Sequence, residues 1–316
     1  MEVKAFYWEG SLLRLLDQRE LPEREVWLEL EDYKKVAQAI RDMAVRGAPA
    51  IGCVAAYGFL LGVKAGEDPR VVYETLKNTR PTAYNLFWAL DRMKKALELG
   101  KDLEAEAKAI EEEDYIANKK MGEIGKELIP EGARILTHCN TGALATAGWG
   151  TALGVVRSAH YGGKRIFVWV DETRPYLQGS RLTAWELLKE GIPHKIITDS
   201  TAGYLMRKGM VDCVLVGADR ITKDYHVANK IGTYALSVLA KAHHIPFYVV
   251  APKSTFDMNS YGEDSIRIEE RSQEELKSIK GISIAPKESS ALHLAFDITP
   301  PENITAIITE DGIIKL

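Results

Sequence analysis

RILTHC (134–139) and CVLVGAD (213–219) share a shape: an unbroken apolar run that turns polar only at its last residues. RIFVWVD (165–171), HKIITD (194–199), PFYVVA (246–251) and TAIIT (305–309) are built in the same way. A strand covered on both faces reads like this, because neither set of side chains meets water. Between these runs lie stretches with helical spacing, at 143–159, 183–190, 202–208 and 230–243. Strand then helix, repeated, predicts a mostly parallel sheet flanked by helices, a Rossmann-like arrangement.

Upstream of Gly132 the pattern differs. Tyr33, Val36, Ile40 and Met43 recur at helical spacing, as do Leu86, Leu90, Met93 and Leu97. Residues 104–129 are charged and proline-free up to the end, which predicts one or two surface helices. Short strands are expected near 5–8 and 26–30. The fold class is therefore α/β in two domains. Residues 1–130 form a mainly helical N-terminal domain with small strands, and residues 131–316 form the Rossmann-like domain. The polar segment 255–290 reads as a solvated connector in preference to a loop over a site.

Composition limits function. The 316 residues are 46% hydrophobic and carry a net charge of −4, which speaks against a general grip on nucleic acid. No window approaches the ~18–20 apolar residues of a membrane helix, and the N-terminus has no secretory pattern, so a cytoplasmic protein is expected. Cys53, Cys139 and Cys213 have no CxxC spacing, and no histidines stand at metal-ligand spacing. G-x-G-x-x-G does not follow the first strand of the sheet. No metal and no cofactor are expected.

In open α/β sheets ligands bind at the carboxyl ends of strands. Those ends hold Cys139, Asp171 with Glu172, Asp199, and Asp219 with Arg220. A thiol followed by Asn-Thr-Gly-Ala sits near backbone N–H groups that stabilise a thiolate; it is equally readable as a small buried hydrophobe. Asp219 at the edge of an apolar run could hold a raised pKa and act as an acid, or be a salt-bridged strand end. Arg46-Gly47-Ala48-Pro49 separates two helical stretches, so an arginine and a helix N-terminus could share an anion; a plain turn reads the same way. Arg80-Pro81 and Asn229-Lys230 are further candidates.

Taken together, VRGAPAIG (45–52), TRPTAYNLFWALDRM (79–93), ILTHCNTGALAT (135–146), WGTALGV (149–155), DETRPYLQGSRLTAWEL (171–187), VGADRI (216–221) and VANKIGTYALSVLAK (227–241) resemble the methylthioribose-1-phosphate isomerase family. Related groups are ribose-1,5-bisphosphate isomerase and the α, β and δ regulatory subunits of the exchange factor for translation initiation factor two. The resemblance runs almost end to end. It implies an aldose-ketose isomerase of methionine salvage, acting on a small-molecule sugar phosphate as a homodimer. It implies Cys139 and Asp219 as the catalytic pair. Arg46, Gly47, Ala48, Arg80, Gln178, Asn229 and Lys230 are implied as substrate contacts. Departures are Asp224-Tyr225-His226, where Asn-Gly-Asp is usual, Ser200-Thr201 in place of Asn-Met, and LHLAFD (292–297) without its Asn-Pro.

Overall fold

The computed structural model describes residues 3–80 and 82–316; Pro81, singled out beside Arg80, lies outside the described residues. The chain opens with an antiparallel three-stranded sheet of β1 (Phe6–Trp8), β2 (Leu13–Leu16) and β3 (Trp27–Leu30). Helices α1 (Tyr33–Arg41), α2 (Ala48–Lys64), α3 (Pro69–Lys77), α4 (Tyr84–Glu98) and α5 (Leu103–Gly125) follow. α2 is apolar all round, and every residue from Ala48 to Gly62 is buried. A helix of that kind belongs at the centre of a bundle, and α2 shares one core with α1, α3, α4 and the β-sheet residues Phe6, Leu13 and Leu15. Asp32, Asp68 and Asp102 cap α1, α3 and α5, each side chain accepting from a backbone N–H of the first turn.

Then come β4 (Arg134–Thr137), α6 (Ala152–Tyr161), β5 (Phe167–Asp171), α7 (Ala184–Lys189), β6 (His194–Ile197), α8 (Thr201–Arg207) and β7 (Cys213–Val216). β8 (Arg220–Thr222), β9 (Val227–Lys230), α9 (Thr233–Ala242), β10 (Phe247–Val250), β11 (Phe256–Asp257), α10 (Glu274–Lys277), β12 (Ser278–Ile279) and β13 (Ile282–Ser283) follow. The chain closes with β14 (Phe296–Thr299), β15 (Ala306–Thr309) and β16 (Gly312–Lys315). The large sheet has the order β16-β15-β10-β7-β4-β5-β6. It is parallel except for β16, which pairs antiparallel with β15 at the edge. β11-β8-β9-β14 make a second sheet beside it.

All six expected strands of the large sheet are present. Two helical stretches differ from expectation. Residues 143–159 are not one helix: a short 3-10 turn, Ala143–Ala145, is separated from α6. Positive φ at Trp149 (65°), Gly148 and Gly150 breaks the run, which helical spacing of apolar residues cannot reveal. Lys230 begins no helix; it ends β9, pairing with Phe296 of β14. Pro130–Gly132 leads into β4, but Met121 and Ile129 already pack among sheet residues such as Ile135, Val168 and Ile308. The C-terminal part of α5 thus rests on the sheet.

Candidate active site

β4 ends at Thr137, and His138-Cys139-Asn140 turn away from its carboxyl end. Cys139 has φ 63°, a left-handed conformation uncommon outside glycine. Both its backbone groups are held. Its N–H donates to Thr173 Oγ1 at 2.8 Å, and its carbonyl accepts from Thr183 Oγ1 at 2.7 Å. Cys139 as a residue is 5% exposed. Strain kept in place by such bonds fixes where the sulfur points.

The following loop is tied to Glu186, which is fully buried. Glu186 accepts from Asn140 Nδ2 (2.8 Å), Ala143 N–H (2.8 Å) and Leu144 N–H (3.3 Å), and pairs with buried Arg157 at 2.5 Å. Asn140 passes this order on. Its side-chain and backbone oxygens accept from Arg46 Nη1 (2.5 Å) and Nη2 (2.7 Å).

Arg46 leads into α2. Gly47 stands at the N-cap with φ 90°, and no side chain caps the helix. A Cβ on Gly47 would lie 2.5 Å from Ala145 Cβ, so glycine is needed here both for the backbone angle and for contact with the Cys139 loop. The uncapped first turn presents N–H groups and the positive end of the helix dipole to the cavity.

Arg46, Gly47, Ala48, Cys139, Asp219 and Asn229 line one cavity, with Thr141, Thr151 and Gly217 among its other walls. Its open volume is about 30 Å³, room for one or two waters, so the walls must part before any larger molecule enters. Roomier cavities of about 250 and 530 Å³ lie elsewhere, but neither contains Asp219 or Cys139. Chemistry, not size, singles out the small one.

Burial pushes the Asp219 carboxyl above the ordinary carboxylate range, against the pull of Lys230, Arg80 and Arg46. Burial also pushes the Lys230 ammonium down, opposed by Cys139 and Asp219. Both groups feel Arg80 and Glu269, so Arg80 and Lys230 stand within electrostatic reach of the cavity without lining it. Gln178 is not among its walls; it is buried just before a π-helical turn, Gly179–Thr183, with Oε1 unpartnered.

Several groups here were not expected. Glu269 pairs with Arg80 at 3.3 Å, both side chains nearly enclosed. Burial would raise the Glu269 carboxyl, but Arg80, Arg271 and Lys230 hold it low. It belongs to the segment read as a solvated connector. In fact Glu269 O accepts from Ala295 N–H at 2.9 Å, next to β14, and so the segment reaches the site's edge. Pairing across nearly two hundred residues leaves no mark on local composition. His138, Asp171 and Asp199 also converge, their ligand atoms within 4.8 Å of one another, and could in principle hold a metal ion. Their spacing of 33 and 28 positions gave no hint of this.

The sequence pattern of the Initiation factor 2 subunit family matches residues 44–316. A methylthioribose-1-phosphate isomerase from Aquifex aeolicus is 74% identical over 316 residues, covering all of this chain and 69% of its own length. One from Sulfurihydrogenibium sp. is 60% identical, covering 99% of this chain and 94% of its own. Among solved structures, 5-methylthioribose 1-phosphate isomerase from Pyrococcus horikoshii OT3 matches with TM-score 0.89 and 44% identity over 99% of this chain and 92% of that one. A structure described as translation initiation factor eIF-2B, subunit delta, from A. fulgidus matches with TM-score 0.84 and 48% identity over 99% and 96%.

Proposed function

The chain belongs to the initiation factor 2 subunit family, and from that premise we propose that it is a methylthioribose-1-phosphate isomerase whose chemistry takes place between Cys139 and Asp219. One observation carries the reading. Six residues from four separate segments, which the isomerase resemblance named in advance, line a single cavity at the carboxyl ends of the strands.

The substrate carries its phosphate on the anomeric carbon, so no free hemiacetal hydroxyl can open the ring. The ring oxygen must be protonated as its bond to C1 breaks. Asp219, whose carboxyl burial pushes up against the pull of Lys230, Arg80 and Arg46, is the acid for that step. The hydrogen on C2 must then reach C1. Cys139 as a thiolate moves it as a proton, or it passes directly as a hydride in a water-poor pocket. Arg46 and the amides of Gly47 and Ala48 hold the phosphate and Asn229 adds a contact from the cavity wall, while Arg80, Lys230 and Gln178, which do not line the closed cavity, reach the substrate once its walls part. Fixing the dianion supplies binding energy that aligns the reacting carbons. We also take the protein to act as a cytoplasmic homodimer with no nucleic-acid partner, its two domains divided at residues 130/131.

The test is turnover of methylthioribose-1-phosphate by the purified protein, with ribose-1,5-bisphosphate alongside and Cys139→Ala as control. No conversion of the first substrate would refute the proposal. It would turn attention to a non-catalytic regulatory role, which the 48% identity to the chain described as translation initiation factor eIF-2B, subunit delta, favours. Running the reaction in D2O separates the two routes: deuterium at product C1 argues against direct hydride transfer.

A further inference from the structure

We propose that His138 is a positioning residue, a doubly protonated imidazole that ties the turn carrying Cys139 to the turn carrying Lys230. The proposal rests on the isomerase reading for its effect on turnover, but not for the state of the ring.

His138 precedes Cys139 in the chain, and its side chain is enclosed. Nδ1 lies 3.0 Å from Asp171 Oδ2, at the end of β5. Nε2 lies 2.8 Å from the carbonyl oxygen of Ile231, the residue after Lys230. A carbonyl only accepts, and so does the Asp171 carboxylate above about pH 6, the value to which burial pushes it against the pull of His138. A neutral ring has one N–H, so one ring nitrogen would point its lone pair at an oxygen, in a place where water cannot intervene. Two protons on the ring satisfy both partners.

The surroundings agree. Asp199, from the turn after β6, accepts from the N–H groups of Thr173 and Arg174 and faces the ring with its charge. Asp297 of β14 accepts from the N–H groups of Gly232 and Tyr234 and interacts with the same ring. Glu172 lies next to Asp171 and is felt by it. Burial works against a charged imidazole, but Asp171, Asp199 and the Ile231 carbonyl outweigh it, and the net direction is up. Space is also reserved for the ring. Gly232 has φ 104°, and a Cβ there would lie 3.0 Å from His138 Cε1 and Nε2.

The metal alternative uses the same three side chains. It would have to break the Nδ1 to Oδ2 hydrogen bond and share the Asp199 oxygens with the amides of Thr173 and Arg174. A proton does here what a metal would do elsewhere. The result is one enclosed side chain fixing three strand ends, two of which present Cys139 and Lys230. Loosening it shifts the sulfur against the bound phosphate, a displacement that costs turnover more than binding.

The experiment has two arms. In the first, the substrate-free wild-type protein is labelled with 15N-histidine and its ring nitrogens are read at pH 7.5, with metal content measured on the same sample. Both His138 nitrogens should show protonated-type shifts. A lone-pair nitrogen, or one equivalent of bound metal, overturns the proposal. In the second, His138→Gln should keep its secondary structure and lose about tenfold or more in kcat, with KM changed by less than about threefold. Wild-type kcat in that variant overturns the positioning role. Should His138→Gln fail to fold, Asp171→Ala keeps the ring, removes one partner and carries the same kinetic expectation. A wild-type protein without isomerase activity would sink the functional reading alone, because the first arm needs no substrate.

Discussion

Replacing Glu186 with alanine tests how the cavity is held together. Glu186 accepts three hydrogen bonds from the Asn140–Leu144 loop and pairs with Arg157, whose side chain is 2% exposed. Removing one member of a buried ion pair strands the other charge and costs about 3–5 kcal/mol. Arg157 keeps Glu190, which accepts from its Nε at 2.8 Å, so the lower half of that range applies to the charge. Two backbone N–H groups lose their acceptor, at about 1–3 kcal/mol for each buried group left unpaired, while the Asn140 amide keeps Thr183 Oγ1 at 3.3 Å. These terms overlap, since all three belong to one network. The expected loss is about 4–5 kcal/mol, a large part of the about 5–15 kcal/mol that holds a typical domain. Urea denaturation followed by far-UV circular dichroism measures it, with the midpoint falling and the slope unchanged. Glu186→Gln keeps an acceptor for the amides and should lose about 1.5–3 kcal/mol. Because Asn140 orients Arg46, KM for the sugar phosphate should rise in both variants. A loss under about 1 kcal/mol in the alanine variant, with KM unchanged, would refute the idea that this network holds the loop.

Cys139→Ser and Asp219→Asn should each lose most turnover, by about 10² or more, while unfolding at the wild-type denaturant midpoint; wild-type rates in either variant defeat the assignment. Asp114 is buried, and its carboxyl is pushed up to about 7, first by burial and then by Glu310 and Glu111. The native state therefore keeps a proton that the unfolded chain releases at lower pH, and stability falls as pH rises from about 4 to about 7. Asp114→Asn should remove that slope, matching wild type near pH 4 and exceeding it at pH 8 by up to about 4 kcal/mol; thermal melts across pH read the difference, and parallel curves would refute the cause. Gly47→Ala should cost about 2–4 kcal/mol from the left-handed backbone and the contact with Ala145, and raise KM as well; a midpoint within error of wild type would show that the Cys139 loop yields freely.

Much of the fold was legible because burial writes itself into local composition. The runs at 134–139 and 213–219 are apolar on both faces, and they became the neighbouring central strands β4 and β7. Cys139 and Asp219 were legible as candidates because polar residues end those runs, and the resemblance supplied their proposed roles. Lys230 was seen, but on the wrong element: VANK serves as a strand only because β8 and β14 flank it.

What sequence determined by itself is therefore each segment's affinity for a buried strand or an amphipathic helix, since that depends on side chains a few positions apart. Tertiary structure alone decided that Glu269 meets Arg80, that Glu186 braces the Cys139 loop, and that His138 lies between Asp171 and Ile231. Those pairings join positions separated by 33 to 189 residues. Hydrogen bonds and ion pairs act over a few ångströms in space and carry no period along the chain, so the order of strands in the sheet has to be set before they can be seen.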